Sequence, residues 1–191
     1  MTSPKLSLAW ETHFVWYDRC LGATTLELDE LAASLLAPLA PEEQDDLRRH
    51  ENNPFPPSDP LFKRWKPTDF SAWKLPAPPS LPAAWLSLLR FSNGGSVLHE
   101  DMEFAFFGTA KVREYALAYH FPHYMPEAVP LGLDGSGNFA VLDVRELPVD
   151  GEYPILLSSA GNLGFEDAVL LGQSFLEFCS WTRRLEEAFD D

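Results

Sequence analysis

Large apolar residues recur along this chain at spacings that separate helices from strands. A helix over 81–91 is predicted because four of them share one face at i, i+4, i+7 and i+8, namely Leu81, Trp85, Leu88 and Leu89. Ser80 is a candidate N-cap, and Pro82 falls in the first turn, where a missing N–H costs nothing. The following Asn93, Gly94 and Gly95 favour the left-handed conformation of a helix C-cap.

Two more helices are predicted before this one. Thr24 or Thr25 begins the first, in which leucines recur on one face, at Leu28, Leu31, Leu35 and Leu39. Pro41 begins the second, which carries acidic residues early and basic residues late, as the helix dipole favours. We expect these two helices to pack together as a hairpin.

A proline-rich segment follows them. Nine prolines between Pro54 and Pro82 exclude a regular helix and a long strand, so the segment is expected to be extended. Its aromatic residues are too numerous for a free linker. We therefore expect Phe62, Trp65, Phe70 and Trp73 to pack against the rest of the fold.

The second half of the chain reads as strands joined mostly by hairpins. Strands are predicted at 103–108, 128–133, 139–144 and 153–158, with a helix over 109–119 capped by Thr109. Asp134–Asn138 has the composition of a hairpin turn. A C-terminal helical region begins at Glu166 or Ser174 and turns Phe175, Phe178, Cys179 and Leu185 toward the sheet. This order predicts an α+β fold with a mostly antiparallel twisted sheet packed with helices.

Composition fits one domain with a full core, since 46% of the 191 residues are hydrophobic and 13% aromatic. The chain has no run of 18 uncharged apolar residues, and its first ten residues lack a signal-peptide core, so we expect a cytoplasmic protein. Cys20 and Cys179 lie far apart without metal-ligand spacing, which indicates reduced packing residues.

Negative charge is concentrated in the second part of the chain. The net charge is −15, of which residues 1–76 carry −4 and residues 77–191 carry −11. Such a field repels nucleic acid and anionic membranes and speeds encounter with basic partners. Solubility alone explains the charge equally well.

Motifs for catalysis or metal binding are weak. The Asp134–Asn138 loop lacks the glycine and the glutamate that a calcium loop requires, at Phe139 and Arg145. His99, His120 and His123 have acidic neighbours, but the HxxH spacing lacks the helical i, i+4 geometry of zinc proteases. No nucleophile elbow, P-loop or dinucleotide fingerprint is present. Together with a family resemblance of the 81–95 helix, these absences lead us to expect a protein that is not an enzyme and binds no metal or cofactor.

The 81–95 helix with its terminal Asn-Gly-Gly, followed by a Ser-Phe-x-x-Phe helix, resembles the SUKH superfamily. The matching residues are Leu81, Pro82, Trp85, Asn93, Gly94, Gly95, the turn Asp134–Asn138, and Ser174, Phe175 and Phe178. These are structural positions in the family. The resemblance implies a SUKH-like domain over 76–191, preceded by a helical and proline-rich extension over 1–75 that packs on it.

This superfamily includes a fungal regulator of cell-wall synthesis and many bacterial proteins that neutralise toxins. The resemblance implies a module that occludes a cognate toxin, for example a basic nuclease. The negative net charge leads us to expect no binding to nucleic acid or membranes. The candidate partner-binding residues are Glu100, Asp101, Glu103, Asp134, Asp143, Asp150 and Glu152. A regulatory scaffold for an endogenous protein, and a small hydrolase using carboxylates with His120 or His123, are the alternatives.

Overall fold

The computed structural model describes residues 9–190. Its helices are α1 Trp10–His13, α2 Thr25–Leu36, α3 Pro41–His50, α4 Ala83–Phe91, α5 Thr109–Ala118, α6 Phe121–Tyr124 and α7 Phe175–Cys179, with short 3₁₀-helices at Phe70–Ala72 and Leu185–Phe189. Its strands are β1 Val15–Arg19, β2 Gly95–His99, β3 Met102–Phe106, β4 Ala128–Asp134, β5 Asn138–Asp143, β6 Ile155–Ser159 and β7 Val169–Gly172.

All seven strands form one antiparallel sheet in which each strand lies beside the next in sequence, from β1 at one edge to β7 at the other. This arrangement confirms the predicted α+β class. The four predicted strands correspond to β3–β6, whereas β1, β2 and β7 were not predicted. Four of the five β1 residues are exposed, so the strand lacks the alternation that marks a half-buried strand.

Helices cover both faces of the sheet. On one face, Phe104 and Phe106 of β3 contact Phe178 of α7, with ring centroids 5.2 and 6.2 Å apart. On the other face, Phe139 of β5 meets Phe121 of α6 at 5.2 Å. Successive side chains of a strand point to opposite faces, so both faces of the sheet are buried at its centre. Near β1 the second face is left open, as the exposed Val15 shows.

The ends of α4 differ from the predicted ends. The apolar face is confirmed, with Trp85, Leu88 and Leu89 fully buried and Leu81 partly buried against the core. The helix begins at Ala83, however, with Pro82 as its N-cap and without a side-chain cap, so Ser80 does not cap it. The pyrrolidine ring at Pro82 holds the backbone extended instead, at φ −55° and ψ 131°.

Gly94 and Gly95 both have positive φ, of 93° and 133°, but neither is a helix C-cap. That position belongs to Ser92, which is extended. The glycines are needed because β2 starts there between close backbones. A Cβ on Gly95 would collide with the Asp18 carbonyl oxygen, and one on Gly94 would lie 2.8 Å from the Gly108 nitrogen.

Asn93 joins three helices through its side chain. Its Oδ1 accepts the N–H of Thr109 at 2.7 Å, while its Nδ2 donates to Thr109 Oγ1 and to Glu27 Oε1 at 3.2 and 3.3 Å. The predicted cap of α5 by Thr109 is therefore wrong. Gly108 is the N-cap, and the first helical N–H is satisfied from Asn93, sixteen residues earlier.

The two N-terminal helices form as predicted, but they do not pack as a hairpin. Thr24 and Glu27 make the capping box of α2, and α2 packs chiefly on α5. Arg113 of α5 joins α2 to α3. Its guanidinium binds both oxygens of Glu43 at 2.6 and 2.7 Å and donates to the carbonyls of Ser34, Ala37 and Pro38, a set that we call the Arg113 clamp.

The proline-rich segment packs on the fold only in its second half. Phe70 and Trp73 are buried and stack edge to face at 4.8 Å, as predicted. Phe62 is exposed and Trp65 only partly buried, which corrects the expectation for these two. One hydrophobic cluster contains residues from both sides of the predicted boundary at 75/76, including Trp10 and Trp85, and the boundary itself stays a prediction.

Candidate functional site

An acidic groove of about 520 Å³ lies at one end of the sheet. It is lined by the turn between β2 and β3, the turn between β4 and β5, and the C-terminal segment, through Leu98, Glu100, Asp101, Glu103, Asp134, Gly135, Ser136, Arg184, Leu185 and Glu186. Four of the seven predicted partner-binding residues meet here. Five carboxylates and one guanidinium line the groove, so its field is strongly negative.

The β2–β3 turn is tight and fixes three of these carboxylates. His99 pairs with Met102, leaving only Glu100 and Asp101 as turn residues, and Glu100 takes a left-handed φ of 53°. Glu103 pairs with Leu98 on β2 and is exposed. Within the described residues, the carboxylates of Glu100, Asp101 and Glu103 accept no hydrogen bond and form no ion pair. They are free to meet a partner.

The C-terminal segment is held against this turn by two hydrogen bonds. The Asp101 N–H donates to the Thr182 carbonyl at 2.9 Å, and His99 Nδ1 lies 2.9 Å from the Trp181 carbonyl oxygen. Arg184 then pairs with Glu186. Hydrogen bonds lower the pKa of the Glu186 carboxyl. The largest contribution comes from its own backbone N–H, and smaller ones come from Arg184 and Ser136. Glu186 therefore adds a negative charge to the groove near neutral pH.

Asp134 mainly holds the turn that lines the groove, and little of its carboxylate is exposed. It is 9% exposed, its Oδ1 accepts the N–H groups of Ser136 and Asn138 at 2.9 and 2.7 Å, and its Oδ2 accepts Asn138 Nδ2 at 2.8 Å. These bonds close the predicted hairpin turn between β4 and β5. The negative charge of Asp134 adds to the electrostatic field of the groove, while its oxygens accept the hydrogen bonds that hold the turn.

The remaining three predicted residues lie outside the groove. Asp143 forms a bidentate ion pair with Arg145 at 2.9 and 2.7 Å. Glu152 Oε2 accepts the N–H of Phe175 at 3.0 Å, at the start of α7. These contacts give Asp143 and Glu152 structural roles, and Asp150 has a left-handed φ of 53° in a tight turn.

The residues that carry the resemblance are placed as structural positions. Ser174 caps α7 by accepting the Glu177 N–H at 3.1 Å, and Phe175 and Phe178 are fully buried. Trp85 is buried in the same cluster. The matching turn differs, because Asp134, Gly135 and Ser136 line the groove.

The histidines do not form one cluster. His99 lies against His13, with ring centroids 4.9 Å apart, whereas His120 and His123 contact Trp73 at 5.1 and 6.5 Å. Burial lowers the pKa of His120, and the nearby His123 adds to this shift. In residues 9–190, no group of three or more His, Cys, Asp or Glu side chains is arranged to hold a metal ion. Cys179 is buried and Cys20 exposed, and both are free thiols.

Sequence reasoning missed Arg184, Ser136 and Glu186 as groove residues. Arg184 and Glu186 lie some eighty positions from Glu103. The hydrogen bonds to Trp181 and Thr182 and the burial of Leu185 in the core bring them together. The charged run of the C-terminal segment is the one signal that could have drawn attention to them.

Comparison with protein-family models gave no match, and comparison with curated proteins gave no significant match. Across the part of the chain that the structure describes, no helix has the length and apolar character needed to cross a membrane.

Proposed function

We propose that this protein is a non-catalytic binding module that holds a basic protein partner in its acidic groove. The observation that carries the proposal is the set of three exposed carboxylates without a described partner, at Glu100 and Asp101 in the β2–β3 turn and at Glu103 at the start of β3. Asp134 and Glu186 line the groove beside them. Complementary charge of this kind speeds association and selects partners by the sign of their charge.

The proposed partner is a bacterial toxin domain, for example a basic nuclease, that the groove occludes. This finer statement rests on the resemblance of residues 81–95 and 174–178 to SUKH immunity proteins together with the net charge of −15. Steric and electrostatic occlusion needs no catalytic group. An endogenous protein bound by a regulatory scaffold would use the same groove and differ only in the partner.

The hydrolase alternative gains no support from the groove. The described residues that line it do not include a histidine, and His120 and His123 lie instead beside Trp73. A carboxylate–histidine mechanism needs the two groups within hydrogen-bond reach of one substrate.

Co-expression tests the proposal. The chain would be produced together with a toxin module encoded next to it, and growth would be compared between wild type and the triple variant Glu100→Lys, Asp101→Lys, Glu103→Lys. We expect wild type to restore growth, and the triple variant to associate more slowly with the toxin and with a flatter salt dependence.

A charge-matched control separates the groove from net charge. Asp29, Glu146 and Glu166 are exposed and lie outside the groove, so their reversal to Lys changes the net charge equally. We expect this control to retain most of the association rate. Equal rates for the two triple variants, or no rescue and no binding by wild type, would exclude toxin neutralisation through the groove.

A further inference from the structure

Among residues 9–190, no strand covers the outer edge of β1. β1 pairs with β2 on one side, and no described strand lies on its other side. Four of its five residues are exposed, among them Val15 and Tyr17, at 60% and 61%. The opposite edge strand, β7, contacts α7 and the 3₁₀-helix Leu185–Phe189, whereas β1 contacts α1. An open edge strand offers unpaired N–H and C=O groups to another extended chain.

A bulge makes this edge selective. The β1–β2 register shifts between Trp16 and Asp18, so Tyr17 interrupts the ladder. Bulges of this kind discourage indiscriminate edge pairing and redirect a side chain. Below the strand, the Trp16 indole donates to the Trp10 carbonyl at 3.0 Å and packs on Phe91, which holds β1 in place. Within the described residues the edge is therefore fixed and unpaired, and its exposed side chains are the apolar Val15 and Tyr17 and the charged Asp18 and Arg19.

The open edge and the acidic groove form one continuous surface. Val15 pairs with Leu98, which lines the groove. Tyr17, Ser96, Ala105 and Leu133 line a shallow depression that shares Glu103, Asp134 and Gly135 with the groove. A chain lying on β1 therefore runs beside a field of negative charge, which selects a basic occupant.

We propose that the partner presents an extended basic segment that adds to the outer edge of β1 as an eighth strand. This inference rests on the proposed function and states how the basic partner is held. Main-chain hydrogen bonds to β1 supply affinity, apolar side chains of the segment cover Val15 and Tyr17, and its basic side chains face the groove. A strand added to β1 lies about 10 Å from β2, well inside the range of the groove's field at low ionic strength.

A synthetic peptide tests the inference without the partner. The probe is a capped heptapeptide of alternating Lys and Val, titrated into the isotope-labelled full chain at low salt while amide shifts and amide exchange in β1 are followed. Its control is the peptoid with the same side chains on the backbone nitrogens, which keeps the charge and has no N–H donor. We expect the peptoid to bind about tenfold more weakly, since the main-chain donors are lost.

A matched pair of variants tests the same edge from the protein side. Tyr17→Lys places a positive charge on the edge, and Leu147→Lys places the same charge at a side chain that is 79% exposed elsewhere. We expect Tyr17→Lys to weaken peptide binding about tenfold or more and Leu147→Lys to leave it nearly unchanged.

The outcomes distinguish this inference from the proposed function. Equal binding of peptide and peptoid, with binding lost in the Glu100, Asp101 and Glu103 reversal, would overturn strand addition and leave the groove as a site for basic ligands. Absence of any binding at low salt would also overturn strand addition, and growth rescue would then decide the function. A dimer in light scattering that Tyr17→Lys dissociates would assign the edge to a second copy of this chain and overturn the inference as well.

Discussion

The Arg113 clamp and the acidic groove both concentrate charged side chains, yet they treat charge in opposite ways. In the clamp, a guanidinium that is 13% exposed meets two carboxylate oxygens and three carbonyls, so its charge is matched and its donors are used. In the groove, Glu100, Asp101 and Glu103 repel one another without a partner. The clamp joins elements of the fold. The groove retains charge that does not stabilise the fold, and binding surfaces commonly retain such charge.

Removal of the Arg113 charge should have the largest effect on stability. We expect Arg113→Met to lower the free energy of unfolding by about 3 kcal/mol, because it leaves Glu43 partly buried without its cation and three carbonyls without donors. Chemical denaturation checks this. Arg48→Met removes an exposed pair with Asp45 and should cost less than about 0.5 kcal/mol. Equal midpoints for the two variants would contradict the clamp.

Acidification should remove part of the stabilisation that the Arg113 clamp provides. The hydrogen bond from Arg113 lowers the pKa of the Glu43 carboxyl, so its stabilisation is complete above the pKa of an unfolded glutamate and is lost as the pH falls through the lowered value. The stability difference between wild type and Arg113→Met should therefore shrink from pH 6 to about pH 3. This difference should not vanish, because the hydrogen bonds from Arg113 to the three backbone carbonyls persist. A difference that grows on acidification would show that Glu43 is not the partner that matters.

Neutralising the groove should change stability in the other direction. We expect Glu100→Gln, Asp101→Asn and Glu103→Gln together to raise the free energy of unfolding by about 0.5 kcal/mol at low salt, because like charges are removed and no bond is lost. The same variant should bind a basic partner more slowly. Urea melts measure the first effect, and a destabilised triple variant would mean that these carboxylates support the fold.

Added salt should have the smallest effect on the stability differences between the variants. Raising NaCl from 0.01 to 0.5 M screens exposed charges, so the stability gap between wild type and the neutralised groove variant should narrow by a few tenths of a kcal/mol. The gap between wild type and Arg113→Met should change less, since the Arg113 and Glu43 side chains are only 13% and 29% exposed. Parallel melts at the two salt concentrations compare the regions directly, and equal salt responses would remove the distinction between them.

Local patterns predicted the parts of the fold that local chemistry determines. They indicated a cap at Thr24 or Thr25, the start of α3 at Pro41, the turn Asp134–Asn138 and a helical region from Glu166 or Ser174, because cap and turn residues act within a few positions. The structure places the two caps at Thr24 and Ser174. Strands β3–β6 were readable for a similar reason, since each carries its own apolar run between turn residues.

Contacts between distant segments could not be predicted in this way. Asn93 looked like the end of α4 but satisfies the N-terminus of α5, and Glu43 meets Arg113 seventy positions away. The groove shows the same limit: the acidic turn Glu100–Asp101 was identified, whereas its partner segment at Arg184 and Glu186 was not. Edge strand β1 gave no signal, because exposure removes the apolar alternation on which strand prediction depends.

The sequential order of the strands has a consequence for how the molecule folds. Each pairing from β2 to β7 closes a short stretch of chain, whereas pairing of β1 with β2 must bring together segments separated by residues 20–94, which include α2, α3 and the prolines. Loop-closure entropy rises with that length, by about (3/2)RT ln n. The β2–β7 meander can therefore assemble before β1 joins it. The longest chain closure in the sheet therefore falls on an edge strand, and separating β1 from β2 leaves every pairing of the β2–β7 meander intact.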